Sequence, residues 1–258
     1  MIRSVNIIGA GNVGLHIGRK VSEKDQVSLR IYTRREDFSY FPEDMRSFLT
    51  NDTSLFSAKN DLTIIAVNDD NISLVAEKIK DHGQIVVHTS GSTPMAVLDR
   101  FQYYGVLYPL QTFSMHRHVK WSEVPLFLEY SEPSIKEKLI NIAVLLSPNY
   151  RFVSSDERLK VHVSAVFASN FVNHMFVQVK DLAEQQNIDF ADFLPLIRET
   201  IDKIFELTPL QAQTGPALRN DKTTLQKHLK ALEYDKAKQK LYEILSKSIY
   251  NRGKDEEL

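Results

Sequence analysis

The run Gly9-Ala10-Gly11-Asn12-Val13-Gly14 stands between a short apolar stretch, Val5-Asn6-Ile7-Ile8, and a segment with helical spacing at Val13, Ile17 and Val21. No other feature of the chain constrains its fold as tightly. In such a run the first glycine permits a tight turn, the second lets the backbone approach a pyrophosphate, and the third lets the helix press on the strand. The helix that begins there offers unpaired amide hydrogens and the positive end of its dipole to an anion. A G-x-G-x-x-G placed between strand and helix therefore predicts the start of a βαβ series and a dinucleotide held by Gly9, Ala10, Gly11, Asn12, Val13 and Gly14.

The segments that follow agree with that start. Val27 to Thr33 is rich in β-branched and aromatic residues, and Leu62 to Val67 is a continuous apolar run suited to a strand buried on both faces. A helix is expected through Ile72, Val75, Ala76 and Ile79, then a strand from Gln84 to His88, strand-like pieces at 105–109, 125–129 and 150–153, and a helix over about 134–146. Residues 36–60, with Pro42 among scattered polar groups, carry no readable period. The alternation predicts an α/β domain over residues 1–154, built on a doubly wound, mostly parallel sheet.

From about Asp156 strand signals stop, and residues 155–258 read as an all-α domain for substrate and dimerisation; 258 residues suit two domains of ordinary size. Residues 156–186 are expected to form one long helix. Its stripe of Val161, Ala165, Ala168, Val172, Met175 and Val179 is broadened by Val163, Val166, Phe167, Phe171 and Phe176, so both sides want partners. That pattern predicts a homodimer through the C-terminal helices. Asp189 and Asp192 are candidate caps for a helix through Ile197, Ile201 and Ile204, with Pro195 in its first turn. Asp221 is expected to cap another through Leu225, Leu229 and Leu232, and Tyr234 to Tyr250 makes a last amphipathic one.

Composition removes several function classes. With 32 Lys+Arg against 33 Asp+Glu, the chain lacks the broad positive field that nucleic acid binding uses. With no cysteine, disulfides, thiolate nucleophiles, iron–sulfur clusters and cysteine zinc sites are out. His116 and His118 flank Arg117 without a third ligand or helical i, i+4 spacing, so no metal site is expected and the stretch reads as a polar loop. No apolar run approaches the ~20 residues that span a bilayer, and Met1 to Ser4 leads directly into the first strand. The expectation is a cytoplasmic protein without a membrane partner, its tail Lys254-Asp255-Glu256-Glu257-Leu258 a solvated end.

The second strand ends Tyr32-Thr33-Arg34-Arg35, with Thr33 19 residues after Gly14. An NAD site usually offers Asp or Glu there, whereas a hydroxyl and two guanidinium groups suit a 2′-phosphate. NADP is therefore the expected cofactor, although Glu36 and Asp37 could pair with the arginines. Val67 and Asn68 after the third strand, and Ser90 after the fourth, fall where doubly wound sheets bind ligands. Asp69 and Asp70 either cap the next helix or reach a ligand. On the long helix, His162 and Asn170 are polar groups that need partners, supplied by a structural contact or by a ligand cleft between the domains. Spacing alone makes a satisfied structural histidine the plainer reading of His162. Arg219 and His228 face the same choice between cleft and solvent.

Taken together, Gly9 to Gly14, His88-Thr89-Ser90-Gly91-Ser92, Tyr108-Pro109-Leu110-Gln111-Thr112-Phe113, His162 to Asn170, and Thr214-Gly215-Pro216 followed by Arg219, Asp221 and His228 resemble one bacterial family. Its members join a Rossmann-like domain to a helical C-terminal domain similar to that of 6-phosphogluconate dehydrogenase. They are often labelled NADP oxidoreductases of the coenzyme deazaflavin-dependent type. The wider layout is similar to pyrroline-5-carboxylate reductase, prephenate dehydrogenase, ketopantoate reductase and the β-hydroxyacid dehydrogenases. The resemblance implies an NADP-dependent oxidoreductase but brings no substrate; the expectation read from the layout is a small carbonyl or imine metabolite in the interdomain cleft. In that reading His162 exchanges a proton at the reacting group, Asn170 orients it, and Gln111, Thr112, Arg219 and His228 line the site. Lys160 and Asn170 depart from the lysine-to-asparagine spacing of the β-hydroxyacid dehydrogenases, and Tyr108 stands where many family members carry histidine. The alternative is an NADP-binding sensor or regulatory protein without turnover.

Overall fold

The computed structural model describes residues 2–24 and 26–254, so the last four residues of the acidic tail lie outside it. Eight strands make one sheet: β1 (Ser4–Ile8), β2 (Ser28–Tyr32), β3 (Leu49–Thr50), β4 (Leu62–Ile65), β5 (Ile85–His88), β6 (Tyr103–Pro109), β7 (Leu126–Tyr130) and β8 (Tyr150–Phe152). Their order is β3-β2-β1-β4-β5-β6-β7-β8, parallel throughout except where β7 pairs with β6. The order reverses direction between β1 and β4, the crevice where open α/β sheets bind ligands. The fold is thus the doubly wound, mostly parallel class expected, with helices following it.

Alternation along the strands explains the layers. Val5 and Ile7 of β1, Leu62 and Ile64 of β4, and Ile85 and Val87 of β5 enter one core with Leu15 and Ile17 of α1 (Asn12–Ser22) and with Leu139 and Ile142 of α3 (Lys136–Leu146). Their neighbours Ile8, Ile65 and Val86 face the other way, onto Ile72 and Ala76 of α2 (Ile72–Lys78) together with Leu98 and Phe101. Successive strand side chains point to opposite faces, so a sheet covered on both sides needs unbroken apolar runs. Each such fully buried aliphatic contributes about 1.5–3 kcal/mol. The unreadable stretch 36–60 holds three 3₁₀ turns and the two-residue edge strand β3, too short for any period to register.

After β8, α4 (Ser155–Ala165) begins on a capping box in which Ser154 Oγ accepts from the Glu157 amide and the Glu157 carboxylate accepts from the Ser154 amide. The chain stays helical to Gln185, but not as the single α-helix expected. Residues Val166–Phe171 are π-helical, and α5 (Val172–Gln185) resumes beyond them. Apolar residues on several sides of this segment left no single stripe whose drift would have revealed the change of register. The chain resolves into two compact units, residues 1–170 and 171–258, so α4 and the π segment as far as Asn170 belong with the sheet.

In the second unit, Asp189 caps a 3₁₀ turn, Phe190–Phe193, that leads into α6 (Leu194–Glu206). Asp192 lies inside that turn rather than capping the helix, and Pro195 occupies the first turn of α6 as expected. Asp221 caps α7 (Lys222–Ala231), accepting from the Thr224 amide, and α8 (Lys236–Lys254) closes the chain. Lys238 of α8 is salt-bridged to Asp181 of α5 at 3.0 Å. Among the described residues of this unit only Ala183 and Ala217 are buried. No described helix is long and apolar enough to cross a membrane.

Candidate active site

The glycine turn follows β1 and opens α1. Gly9 has φ +118°, a left-handed conformation favouring glycine, and a Cβ there would overlap the Ala66 carbonyl. A Cβ on Gly14 would overlap the Gly9 carbonyl, so that residue sets how closely α1 approaches the turn. Gly11 is different: nothing lies within 4 Å of where its Cβ would stand, and as the N-cap of α1 it makes no side-chain cap. Two glycines are consumed by packing. The third leaves open space in front of free helix-terminal amides, which fits a pyrophosphate. Asn12 turns its side chain away from that space, donating from Nδ2 to the Phe113 carbonyl at 3.0 Å. His16, one turn on, is 2% exposed and bonds the Ser114 carbonyl at 3.0 Å; burial lowers its pKa. These two bonds bring the loop after β6, with exposed Gln111 and Thr112, alongside the glycine turn.

At the end of β2, Thr33 is buried; its amide donates to the Thr50 carbonyl and its Oγ1 accepts from the Arg35 amide. Arg34 and Arg35 are exposed, and the Arg35 guanidinium lies 4.0 Å over the Tyr40 ring. The neighbouring carboxylates do not neutralise them. Asp37 accepts from the amide and hydroxyl of Ser39, which hold its carboxyl below the usual range, and no described ion pair engages either arginine.

Val67 and Asn68 follow β4, Asn68 exposed at the start of a 3₁₀ turn. Asp69 is no helix cap: its Oδ2 accepts from Ser92 Oγ at 2.5 Å, and α2 has no side-chain cap. Ser90 is buried, its Oγ accepting from the amides of Ser92 and Thr93, so it shapes the loop after β5 and keeps its hydroxyl hydrogen to donate. His88 at the end of β5 is fully buried with Nδ1 accepting from the Ser90 amide; burial, followed by the Arg158 charge, pushes its pKa down to about 4.

His162, on α4, packs against this same loop. A Cβ added to Gly91 would stand 2.6 Å from the His162 ring. Its Nδ1 lies 3.1 Å from the Tyr108 hydroxyl. Asn170 lies in the π segment, exposed, its side chain making no hydrogen bond to a described residue. In an unbroken α-helix eight residues would carry it about 80° past two full turns from His162. A π turn accommodates an extra residue, so Asn170 falls about where a seventh residue would, within about 20° of the His162 face. Arg219 and His228 belong to the second unit, where Arg219 is exposed and His228 Nδ1 lies 2.7 Å from the Tyr242 hydroxyl.

One anchor of the site gave no strong sequence signal. Arg158, one turn before His162, is completely buried, paired to Glu129 on β7 and donating to the Thr93 carbonyl and to Ser155 Oγ. Glu129 also accepts from the amide and hydroxyl of Ser155. This network pins the first turn of α4 to the sheet and to the loop that holds Gly91. The available sequence cue was only that Arg158, Val161, His162 and Ala165 share one helical face.

A doubly wound sheet with a glycine turn beside its crossover, followed by a helical unit, defines a protein of the Rossmann-like class. Residues 2–113 match the model for the Rossmann-like domain, and residues 124–249 match a domain of unknown function, DUF2520. A candidate NADP oxidoreductase from Bacteroides fragilis is 35% identical, with 97% of this chain and 98% of that one aligned at a TM-score of 0.87. The chain belongs to the family of that protein, and in this chain the Rossmann-like match precedes the DUF2520 match. The fold is shared further afield. An imine reductase from Myxococcus stipitatus, solved with NADP⁺, is 13% identical over 98% of this chain and 93% of its own, with a TM-score of 0.59. A pyrroline-5-carboxylate reductase from Coxiella burnetii is 16% identical over 99% and 98%, with a TM-score of 0.56. No curated protein sequence matches the chain.

Proposed function

We propose that this protein is an NADP-dependent oxidoreductase acting on a small carbonyl or imine compound. The observation that carries the proposal is the seat of His162: its ring lies on Gly91, just beyond the carboxyl end of β5, two strands from the glycine turn. A titratable ring at that edge of a dinucleotide-binding sheet stands where substrate would meet the cofactor. The open face of Gly11 supports a dinucleotide, and the exposed, unneutralised Arg34 and Arg35 support a 2′-phosphate. The imine reductase of the same fold, solved with NADP⁺, points the same way.

In this reading the turn Gly9 to Gly14 binds the pyrophosphate through the free amides at the start of α1, the Gly9 amide itself being bound to the Tyr32 carbonyl; Thr33, Arg34 and Arg35 hold the adenosine phosphate, and Val67, Asn68 and Ser90 border the cofactor. When bound, the nicotinamide supplies hydride chemistry. His162 holds a proton at the reacting group and Asn170 orients it; Gln111 and Thr112 border the same edge, and Arg219 and His228 are assigned to substrate binding by family resemblance. Residues up to about 154 thus serve the cofactor, and those from 155 serve substrate and assembly.

The test pairs binding with turnover. NADPH should raise the melting temperature by the amount set by RT ln(1 + [L]/Kd). His162→Gln should keep that shift while lowering turnover of whichever carbonyl or imine compound is reduced by about 10²–10⁴-fold. Turnover unaffected by the substitution would remove His162 from the chemistry. Binding of NADPH with no turnover across a broad carbonyl and imine panel would favour the sensor instead.

We also propose a homodimer through the C-terminal helices. The second unit buries only two alanines among its described residues, while Leu196, Ile201, Ile204 and Phe205 of α6 are exposed, Phe205 by 82%. A helical unit without a core of its own needs apolar cover, and obligate interfaces resemble a divided core. Sedimentation should give a dimer at micromolar concentration, and a monomer there would refute the proposal.

A further inference from the structure

The Tyr108 hydroxyl and His162 Nδ1 are 3.1 Å apart, and the two rings meet edge to face at 5.9 Å. Tyr108 stands on β6, 8% exposed, within an apolar cluster that includes Phe127, Met95, Leu110, Val153 and Val161. Burial raises its pKa, so the phenol keeps its proton. A Cβ added to Gly91 would stand 2.6 Å from His162 Cγ and Nδ1 and 2.8 Å from its Cβ, so the glycine leaves the imidazole room against this loop. The hydrogen-bond contact of the ring is thus at Nδ1, and no described residue hydrogen-bonds Nε2.

In a pair made of a neutral phenol and a neutral imidazole, the phenol is the better donor and the unprotonated ring nitrogen the better acceptor. Which imidazole nitrogen carries the proton is set by the hydrogen bond made at the other. We propose that Tyr108 is a positioning residue whose hydroxyl donates to His162 Nδ1, fixing the neutral ring as the tautomer with its hydrogen on Nε2.

This rests on the reading of His162 as the group at the reacting centre, and it narrows that reading. A neutral ring locked this way presents a donor, not a base, to whatever lies beyond Nε2. Its complement is a carbonyl oxygen or the lone pair of a neutral imine; an iminium nitrogen has no lone pair to accept from it. Tyr108 thus selects among the compounds proposed above, favouring those that offer an acceptor.

The experiment reads the tautomer without substrate or cofactor. The full-length protein, labelled with ¹⁵N, gives long-range ¹H–¹⁵N correlations for its imidazoles at alkaline pH, and His162 is assigned by its loss in His162→Gln. The expected wild-type pattern is an unprotonated-type Nδ1 shift with a protonated-type Nε2 shift. Tyr108→Phe removes only the hydroxyl, so the ring should stay in place while its averaged Nδ1 resonance moves toward the protonated value. A protonated Nδ1 in the neutral wild-type ring overturns the proposal, as does a pattern unchanged by Tyr108→Phe. Turnover that survives His162→Gln would sink the catalytic reading instead and leave the tautomer result standing, so the two failures are distinguishable.

Discussion

Replacing Glu129 by Gln tests how much the buried Arg158 network contributes to holding the start of α4 on the sheet. Arg158 is 0% exposed and Glu129 16%, so the substitution leaves a guanidinium inside the protein without its counter-charge. The Thr93 carbonyl and Ser155 hydroxyl remain as acceptors but carry no net charge. Removing one partner of a buried pair costs about 3–5 kcal/mol, because the other charge stays desolvated. For a domain of this size, each kcal/mol lowers the melting temperature by about 2–4 °C, so Glu129→Gln should melt about 6–20 °C lower. Replacing both partners, as in Glu129→Leu with Arg158→Met, should recover most of that loss, since no charge is then stranded. Unfolding in urea of Glu129→Leu, Arg158→Met and the double variant closes the cycle and gives the coupling energy. Because the pair is buried, raising salt should change the loss little, unlike the exposed Lys120–Glu123 pair. A loss below about 1 kcal/mol for Glu129→Gln would refute the reasoning, since that is the worth of a surface ion pair.

Other expectations follow from the same structure. Gly11→Val should leave the melting temperature of the free protein nearly unchanged, since nothing lies within 4 Å of the new Cβ, yet abolish the upward shift caused by NADPH; a retained shift would refute the open-face argument. Arg34→Asp should reverse the preference for NADP over NAD in a titration of both, and equal wild-type affinities would defeat the 2′-phosphate assignment. His88, with its pKa lowered to about 4 from 6.5, binds protons less readily folded than unfolded. Its contribution, on the order of 3 kcal/mol, is complete above pH 6.5 and is lost as pH falls toward 4. A His88→Gln variant should flatten that part of the stability profile, and a slope identical to wild type would contradict the assignment.

What the chain alone determined is what short-range chemistry specifies. The glycine turn was legible because its spacing lies within six residues between an apolar run and a helical period, although the Ala66 carbonyl that excludes a Cβ from Gly9 comes from the fold, and the strands because burial on both faces demands continuous apolar runs. Asp221 was legible as a cap because its partner, the Thr224 amide, is three residues away. The tertiary structure decided everything that depends on distant partners. Nothing in the local sequence announces that Arg158 is buried, since the charge that permits it lies 29 residues earlier on β7. From spacing alone His162 read more plainly as structural, and only the fold put Gly91 against its ring and Tyr108, 54 residues away, at its Nδ1. Asn12 shows the same division: its place in the turn was readable, but its amide is bound to a carbonyl 101 residues on. A polar side chain declares only what it is able to bind, and which partner it meets is settled by how the apolar layers pack.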